Sequence, residues 1–247
     1  MFRYNYLPGG FSRRALLVTT MKKKLFYFLQ VALLFGFMFN PWTTFPFTFL
    51  LLSLFVLLIC YVEDGNLSAV GLTAKGSFLK LILQAAGLFL IVEPVMDFII
   101  QPTINRLAQD VPDFIAFQSI ESNTGKYLKY LTYIWISAAF GEELFFRGFL
   151  NSRLSELFSG LHGKLLIVAI VSSLLFAAPH LYQGTAGLIM TFLFGLVFFF
   201  IYRKFGYNLW VTILLHGLVD TFFITLAYTG NLSYYNMTDS FFNSINF

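Results

Sequence analysis

The sequence is poor in charged residues and contains a single cysteine. Only 11% of its 247 residues are charged and 58% are hydrophobic, whereas a soluble globular domain carries roughly 25% charged residues. This composition predicts an integral membrane protein whose length is used by membrane spans and not by a separate soluble domain. The lone Cys60 excludes an internal disulfide and a cysteine metal cluster.

Positive charge is also modest, with a net charge of +4, and it lies at the ends of apolar runs. This placement is typical of membrane topology and predicts a lipid bilayer, and no nucleic acid, as a partner. The run after Lys22–Lys24 ends at Asn40-Pro41-Trp42 without a small-residue cleavage site, which indicates a retained span. Runs bounded by charge, Gly or Pro predict an all-α, polytopic protein with spans near 24–39, 42–62, 78–100, 129–150, 164–180, 185–202 and 207–228.

Lysine and arginine predict the orientation of these spans. With the N-terminus in the cytoplasm, twelve cations lie on the inner side and three on the outer side. The inner set is Arg3, Arg13, Arg14, Lys22, Lys23, Lys24, Lys75, Lys80, Arg153, Lys164, Arg203 and Lys204, and the outer set is Arg106, Lys126 and Lys129. This bias predicts a multi-pass protein of the cell membrane, with the segment 101–126 as an outer loop.

Charged side chains within the spans are functional candidates, because each costs a few kcal/mol in a bilayer. Glu142, Glu143 and Arg147 stand in one apolar helical run. Glu143 and Arg147 are four residues apart and are predicted to form an ion pair. Glu142 points about 100° away, finds no partner on its own helix and is a candidate general base. The alternative is a three-residue polar lock between helices.

Two histidines lie on other spans. His180 follows Phe176 by one turn near the end of a span, and His216 lies one turn before Asp220 on the last span. The structural alternatives are an interfacial His180 and a His216–Asp220 hydrogen bond that joins helices. Counted at 1.5 Å per residue, His180 lies about 24 Å from the inner side, against about 16 Å for Glu142 and 13 Å for His216, so the three meet only if a helix is tilted or a boundary shifts.

Three other ionisable groups are given a less functional interpretation. Glu93 and Asp97, near the outer end of the third span, are interpreted as solvated helix-terminal groups, with a proton-sharing dyad as the alternative. His162, in a connection with flanking glycines, is interpreted as a loop residue.

A glutamate, two histidines and a further carboxylate from three helices supply two kinds of chemistry. They can activate water and stabilise the oxyanion that forms on an attacked amide carbonyl, or they can hold zinc with a glutamate as base. The sequence has no His-Glu-x-x-His, Gly-x-Ser-x-Gly or Gly-x-Gly-Asp motif, which argues against the usual zinc, serine and aspartyl protease arrangements.

Three motifs together resemble those of the CAAX protease and bacteriocin-processing (CPBP, or Abi) family of intramembrane endopeptidases, which includes type II CAAX prenyl endopeptidases. They are Glu142-Glu143-Leu144-Phe145-Phe146-Arg147, Phe176-Ala177-Ala178-Pro179-His180 and His216-Gly217-Leu218-Val219-Asp220. The resemblance covers 67–230, after a basic segment with two helices at 1–66 and before a polar and aromatic tail at 231–247. It implies a bundle of about seven or eight helices around a polar intramembrane cavity.

The resemblance also implies the roles of the residues. Glu142 with His180 would activate water, and His216 with Asp220 would line the oxyanion site. Glu143 and Arg147 would position these groups, with no metal or other cofactor and with zinc as the lesser alternative. An ionised Asp220, which stands where many CAAX-processing members carry Asn, cannot donate to an oxyanion, so it is either protonated or orients His216.

The implied substrates are membrane-associated peptides or proteins, and the bacterial look of the chain favours peptide precursors over prenylated proteins. The alternatives are a non-catalytic bacteriocin-immunity or scaffold protein of the same family and, more distantly, a proton-coupled transporter. The sequence does not predict an oligomeric state.

Overall fold

A computed structural model describes residues 13–73 and 76–245, and in these residues it is helical without a strand. The predicted all-α fold is confirmed. Arg3 and Lys75 of the inner cations lie outside the described residues, as do the side chains of Arg13 and Arg14.

Each of the seven predicted spans coincides with a helix. The helices are α1 (Arg13–Phe37), α2 (Phe47–Asp64), α3 (Phe78–Ala108), the short α4 (Ile115–Gln118), α5 (124–157), α6 (Lys164–Ala177), α7 (Gly184–Lys204), α8 (Leu209–Tyr228) and α9 (Tyr234–Ser244). A 3-10 turn, Ala178–Gln183, joins α6 to α7.

The length and composition of the helices agree with a membrane protein. Three stretches of the described residues are long and apolar enough to cross a membrane, namely Phe78–Ala108, Lys164–Lys204 and Leu209–Tyr228. A shorter apolar helix, Phe47–Glu63, lies within α2. Large apolar side chains such as Leu83, Leu90 and Leu174 are exposed on these helices, as a surface that faces lipid requires.

Polar side chains mark where several helices begin. The Ser77 side chain accepts a hydrogen bond from the Lys80 amide at the start of α3, and Asn123 accepts one from the Lys126 amide at the start of α5. Asn208 caps α8 in the same way. These side chains satisfy amide groups that the first helical turn leaves without a partner.

Two helices contain wide π-helical turns, in which each amide bonds five residues back. In α3 the turn Met96–Ile100 begins two residues after Pro94, which has no amide hydrogen to donate. In α5 the first such turn, Ile134–Glu142, ends at the first charged residue of the motif, and the second, Leu144–Leu150, contains Arg147. The segment 101–126, predicted to be an outer loop, is helical in part, because α3 continues to Ala108; its position on the outer side stays a prediction.

The charged motif of α5 lies in the most buried part of the protein. Leu144, Phe145, Phe149 and Leu150 are all fully buried around it, against residues of α2, α6, α7 and α8. Since their side chains are almost wholly buried, Glu143 and Arg147 need polar partners within the protein.

The contact between α8 and α5 requires glycine at position 217. A Cβ atom there would stand 2.5 Å from Cζ3 of Trp135, whose Nε1 donates to Thr221 Oγ1 at 3.2 Å. We expect Gly217→Ala to destabilise the fold by about 1–3 kcal/mol, as overpacking of a tight interface does. The check is the melting temperature in detergent, with Gly87→Ala as control, since a Cβ on this exposed α3 glycine meets nothing within 4 Å. Equal melting temperatures for the two variants would contradict the expectation.

Candidate active site

A cavity of about 710 Å³ lies inside the bundle, and all four predicted catalytic residues line it. Glu142 comes from α5, His180 from the 3-10 turn after α6, and His216 and Asp220 from α8. The depths in the membrane that the sequence predicts separate His180 from Glu142 and His216. It lies beside them because α6 ends at Ala177 and the following turn carries His180 to the cavity.

Glu143 connects two of the three motifs. Its Oε1 lies 3.3 Å from Nη1 of Arg147, which confirms the predicted ion pair, and 3.0 Å from Nδ1 of His216. The Glu143 side chain is fully buried. Sequence reasoning missed the contact with His216, because nothing in the spacing indicates a contact between residues of different helices.

Arg147 is held by aromatic rings as well as by Glu143. Its guanidinium carbon lies 4.0 Å from the ring centroid of Phe176 and 5.2 Å from that of Phe198. A guanidinium over a ring face gains electrostatic stabilisation, and more so when it is removed from water. Phe176, the first residue of the second motif, therefore stabilises Arg147 of the first motif.

The His216 ring lies between two carboxylates. Its Nδ1 faces Glu143, and its Nε2 lies 3.5 Å from Oδ2 of Asp220, one turn further along α8. Both ring nitrogens can donate at once only when the imidazole carries two protons. The bond to Glu143 is the shorter, so Glu143 fixes the orientation of the ring and the Nε2 side is held more loosely.

His180 has a tautomer that its surroundings define. Its Nδ1 lies 3.1 Å from the carbonyl oxygen of Phe176. Because a carbonyl only accepts, Nδ1 carries the hydrogen, and in the neutral ring Nε2 keeps a free lone pair. That lone pair can accept a hydrogen bond from water.

Glu142 differs from its neighbour Glu143 in having no such partners. It is 7% exposed and lines the cavity. In the part of the chain that the structure describes, no hydrogen bond or ion pair joins it to another side chain. The two glutamates therefore differ in their contacts, since Glu143 is bonded to Arg147 and His216 and Glu142 faces the cavity.

The interpretation of Glu93 and Asp97 as solvated groups is wrong. They are 5% and 3% exposed, and they line the same cavity as the motif residues. The reason is that α3 does not end at the predicted boundary, and residues such as Pro112 and Phe114 of the following segment line the same cavity. The sequence feature that could have indicated this burial is the presence of two carboxylates, Glu93 and Asp97, on either side of Pro94 within an apolar run. His162 lies in an exposed turn, as predicted.

The possible metal ligands of the site can be compared with the geometry that a metal ion needs. Among the described residues, no group of three or more His, Cys, Asp or Glu side chains has the geometry to hold a metal ion. His216 is paired with Glu143 at Nδ1 and lies near Asp220 at Nε2, so both of its ring nitrogens already face carboxylates.

Comparison with known families agrees with the motifs. Residues 124–222 match the family described as "Type II CAAX prenyl endopeptidase Rce1-like", and this region includes all three motifs. The family resemblance is confirmed over this part of the chain, about two fifths of its length. In its motifs and its helical fold, this part of the chain is similar to type II CAAX prenyl endopeptidases. Searches of curated proteins and of solved structures gave no match.

Proposed function

We propose that the protein is an intramembrane endopeptidase that hydrolyses peptide bonds of membrane-associated peptides or proteins with water activated by Glu142 and His180. The observation that carries this proposal is the unequal bonding of the two adjacent glutamates. Glu143 contacts Arg147 and His216, whereas Glu142 faces the cavity with no hydrogen bond or ion pair to a side chain of the described residues.

The first step is attack by water on the substrate carbonyl. Glu142 takes one proton from the water, the water oxygen bonds to the carbonyl carbon, and the carbonyl electrons move to its oxygen. Nε2 of His180 orients the water through its free lone pair. When the carbon–nitrogen bond breaks, the amine leaves with the proton that Glu142 returns, and the acid product retains the water oxygen.

His216 is suited to stabilise the oxyanion. In the doubly protonated ring, which its two flanking carboxylates stabilise, Nδ1 donates to Glu143, and the Nε2 hydrogen, whose contact with Asp220 is long at 3.5 Å, remains available to a developing negative charge. In this mechanism Asp220 orients His216 and does not donate to the oxyanion. Arg147 balances the charge of Glu143, which keeps that carboxylate in place.

The test is peptide cleavage by purified protein in detergent or lipid. Internally quenched apolar peptides, with and without a prenylated CAAX end, serve as substrates. We expect His180→Ala to lower kcat by about 10²–10⁴-fold, since that is the contribution of a positioned acid–base group. His162→Ala is the matched control and should keep full activity, because this histidine lies in an exposed turn.

Two results would overturn parts of the proposal. Full activity of His180→Ala would remove this residue from the mechanism, and loss of activity on exhaustive chelation, restored by zinc, would replace it by a metal mechanism. A wild-type protein that cleaves none of the peptides would favour the non-catalytic alternative.

The orientation with a cytoplasmic N-terminus is also part of the proposal. In this orientation the cavity, which Thr43 and Pro112 help to line, would open toward the outer side of the membrane.

A further inference from the structure

Two carboxylates outside the three motifs lie in the wall of the cavity. Glu93 and Asp97 are one turn apart on α3, across the start of its π-helical turn. Oε2 of Glu93 and Oδ2 of Asp97 are both buried, and no described residue forms a hydrogen bond with either oxygen. Buried polar atoms are normally hydrogen-bonded, so two such oxygens in one cavity wall indicate a partner that the described residues do not supply.

The charges around this pair identify the kind of partner. The charged groups that act on Glu93 are the carboxylates of Asp97 and Asp220, and Asp97 interacts with the hydroxyl of Tyr234. No lysine, arginine or histidine among the described residues forms an ion pair with Glu93 or Asp97. A cation in this place would therefore relieve repulsion and satisfy both free oxygens.

An organic cation that carries several N–H donors suits this place. The described side chains here do not form a set that could hold a metal ion. An ammonium or guanidinium group, in contrast, can donate to both carboxylates at once through charge-assisted hydrogen bonds. Lysine and arginine side chains are the two such groups that a peptide carries along its length.

Glu93 and Asp97 line the same cavity as His216 and Asp220 of α8. Helices α3 and α8 are neighbours, with the rings of Phe89 and Phe222 5.9 Å apart, and Asp220 of α8 acts on both Glu93 and His216. Apolar side chains, including Phe194 and Val219, line the same cavity. The long apolar stem of a lysine or arginine fits such a lining while its charged end reaches the carboxylates.

We propose that Glu93 and Asp97 form a subsite for a basic side chain of the substrate, close to the bond that is cleaved. The enzyme then prefers apolar peptides that carry one lysine or arginine at a fixed position from this bond. This inference rests on the proposed function for its effect on catalysis, but the binding of a basic side chain can be measured without cleavage.

The binding experiment uses the Glu142→Gln protein, so that no peptide is consumed. Fluorescent apolar peptides with an acetylated N-terminus carry a single lysine, scanned through successive positions, and each has a partner with norleucine in its place. At one position we expect the lysine peptide to bind at least about tenfold more tightly. The additional changes Glu93→Gln and Asp97→Asn should abolish this difference, whereas Glu156→Gln, at an exposed α5 carboxylate, should retain it.

The outcomes separate this inference from the proposed function. Equal binding of lysine and norleucine peptides at every position would overturn the subsite, even if the wild-type protein cleaves both. A preference that survives Glu93→Gln with Asp97→Asn would also overturn it. Selective binding that depends on both carboxylates supports the subsite, even in a protein that proves not to cleave. In an active protein, the same preference should appear in kcat/KM.

Discussion

Replacing Glu142 with glutamine is expected to abolish peptide cleavage and to leave the melting temperature unchanged. Glutamine has the same shape, and Glu142 has no hydrogen bond or ion pair with a described side chain that the change would break. An amide cannot take a proton from water, and the loss of a general base lowers kcat by about 10²–10⁴-fold. Because substrate contacts elsewhere in the cavity remain, KM should change little.

The measurement pairs kcat and KM with a thermal melt of the same preparation. Glu156→Gln makes the same chemical change at an exposed residue that contacts Lys23 at 3.6 Å, and it should match the wild type in all three quantities. Undiminished cleavage by Glu142→Gln would contradict the mechanism in which Glu142 is the general base. A large fall in melting temperature would instead assign Glu142 to the polar lock between helices.

Replacing the adjacent Glu143 with glutamine is expected to lower stability and activity together. The change removes the carboxylate that Arg147 and His216 share, and it leaves the 3%-exposed Arg147 without a counter-charge. Breaking a buried ion pair in this way costs about 3–5 kcal/mol. Cleavage should fall by up to about 10⁴-fold, the loss seen when a carboxylate that orients a catalytic histidine is replaced by its amide.

A double-mutant cycle gives the sharper test of this pair. Removing Arg147 as well, as Arg147→Met, leaves no unpaired buried charge, so the double variant should be less destabilised than the sum of the two single variants. Activity should not recover in parallel, because His216 still lacks its partner at Nδ1. Additive losses of stability would show that Glu143 and Arg147 are not coupled.

The sequence predicted those parts of the site that depend on spacing within one helix. Glu143 with Arg147 and His216 with Asp220 are four residues apart, and four residues make one helical turn whatever the rest of the fold does. The helices themselves followed from apolar runs, since a bilayer leaves few alternatives to helices. Both inferences use local geometry alone.

The sequence could not predict which residues of different helices contact one another, or where each helix ends. The bond from Glu143 to His216 joins residues 73 positions apart and depends on how α5 and α8 pack. His180 was placed too far from Glu142, because a regular helix was extended through a 3-10 turn. Glu93 and Asp97 were assigned to solvent, because a π-helical turn and the continuation of α3 leave no signature in hydropathy.

The burial of the site has a consequence for how substrates are selected. Glu142 lies in the wall of a cavity inside the bundle, whereas each carbonyl of a regular helix accepts a hydrogen bond from the amide four residues on, within side chains that make the helix about 10–12 Å wide. In the proposed mechanism, a transmembrane segment therefore presents a carbonyl to Glu142 only where a short stretch unwinds from its own helix. The ease of local unwinding, which glycine and proline increase, then becomes a property of the substrate that governs the rate of its cleavage.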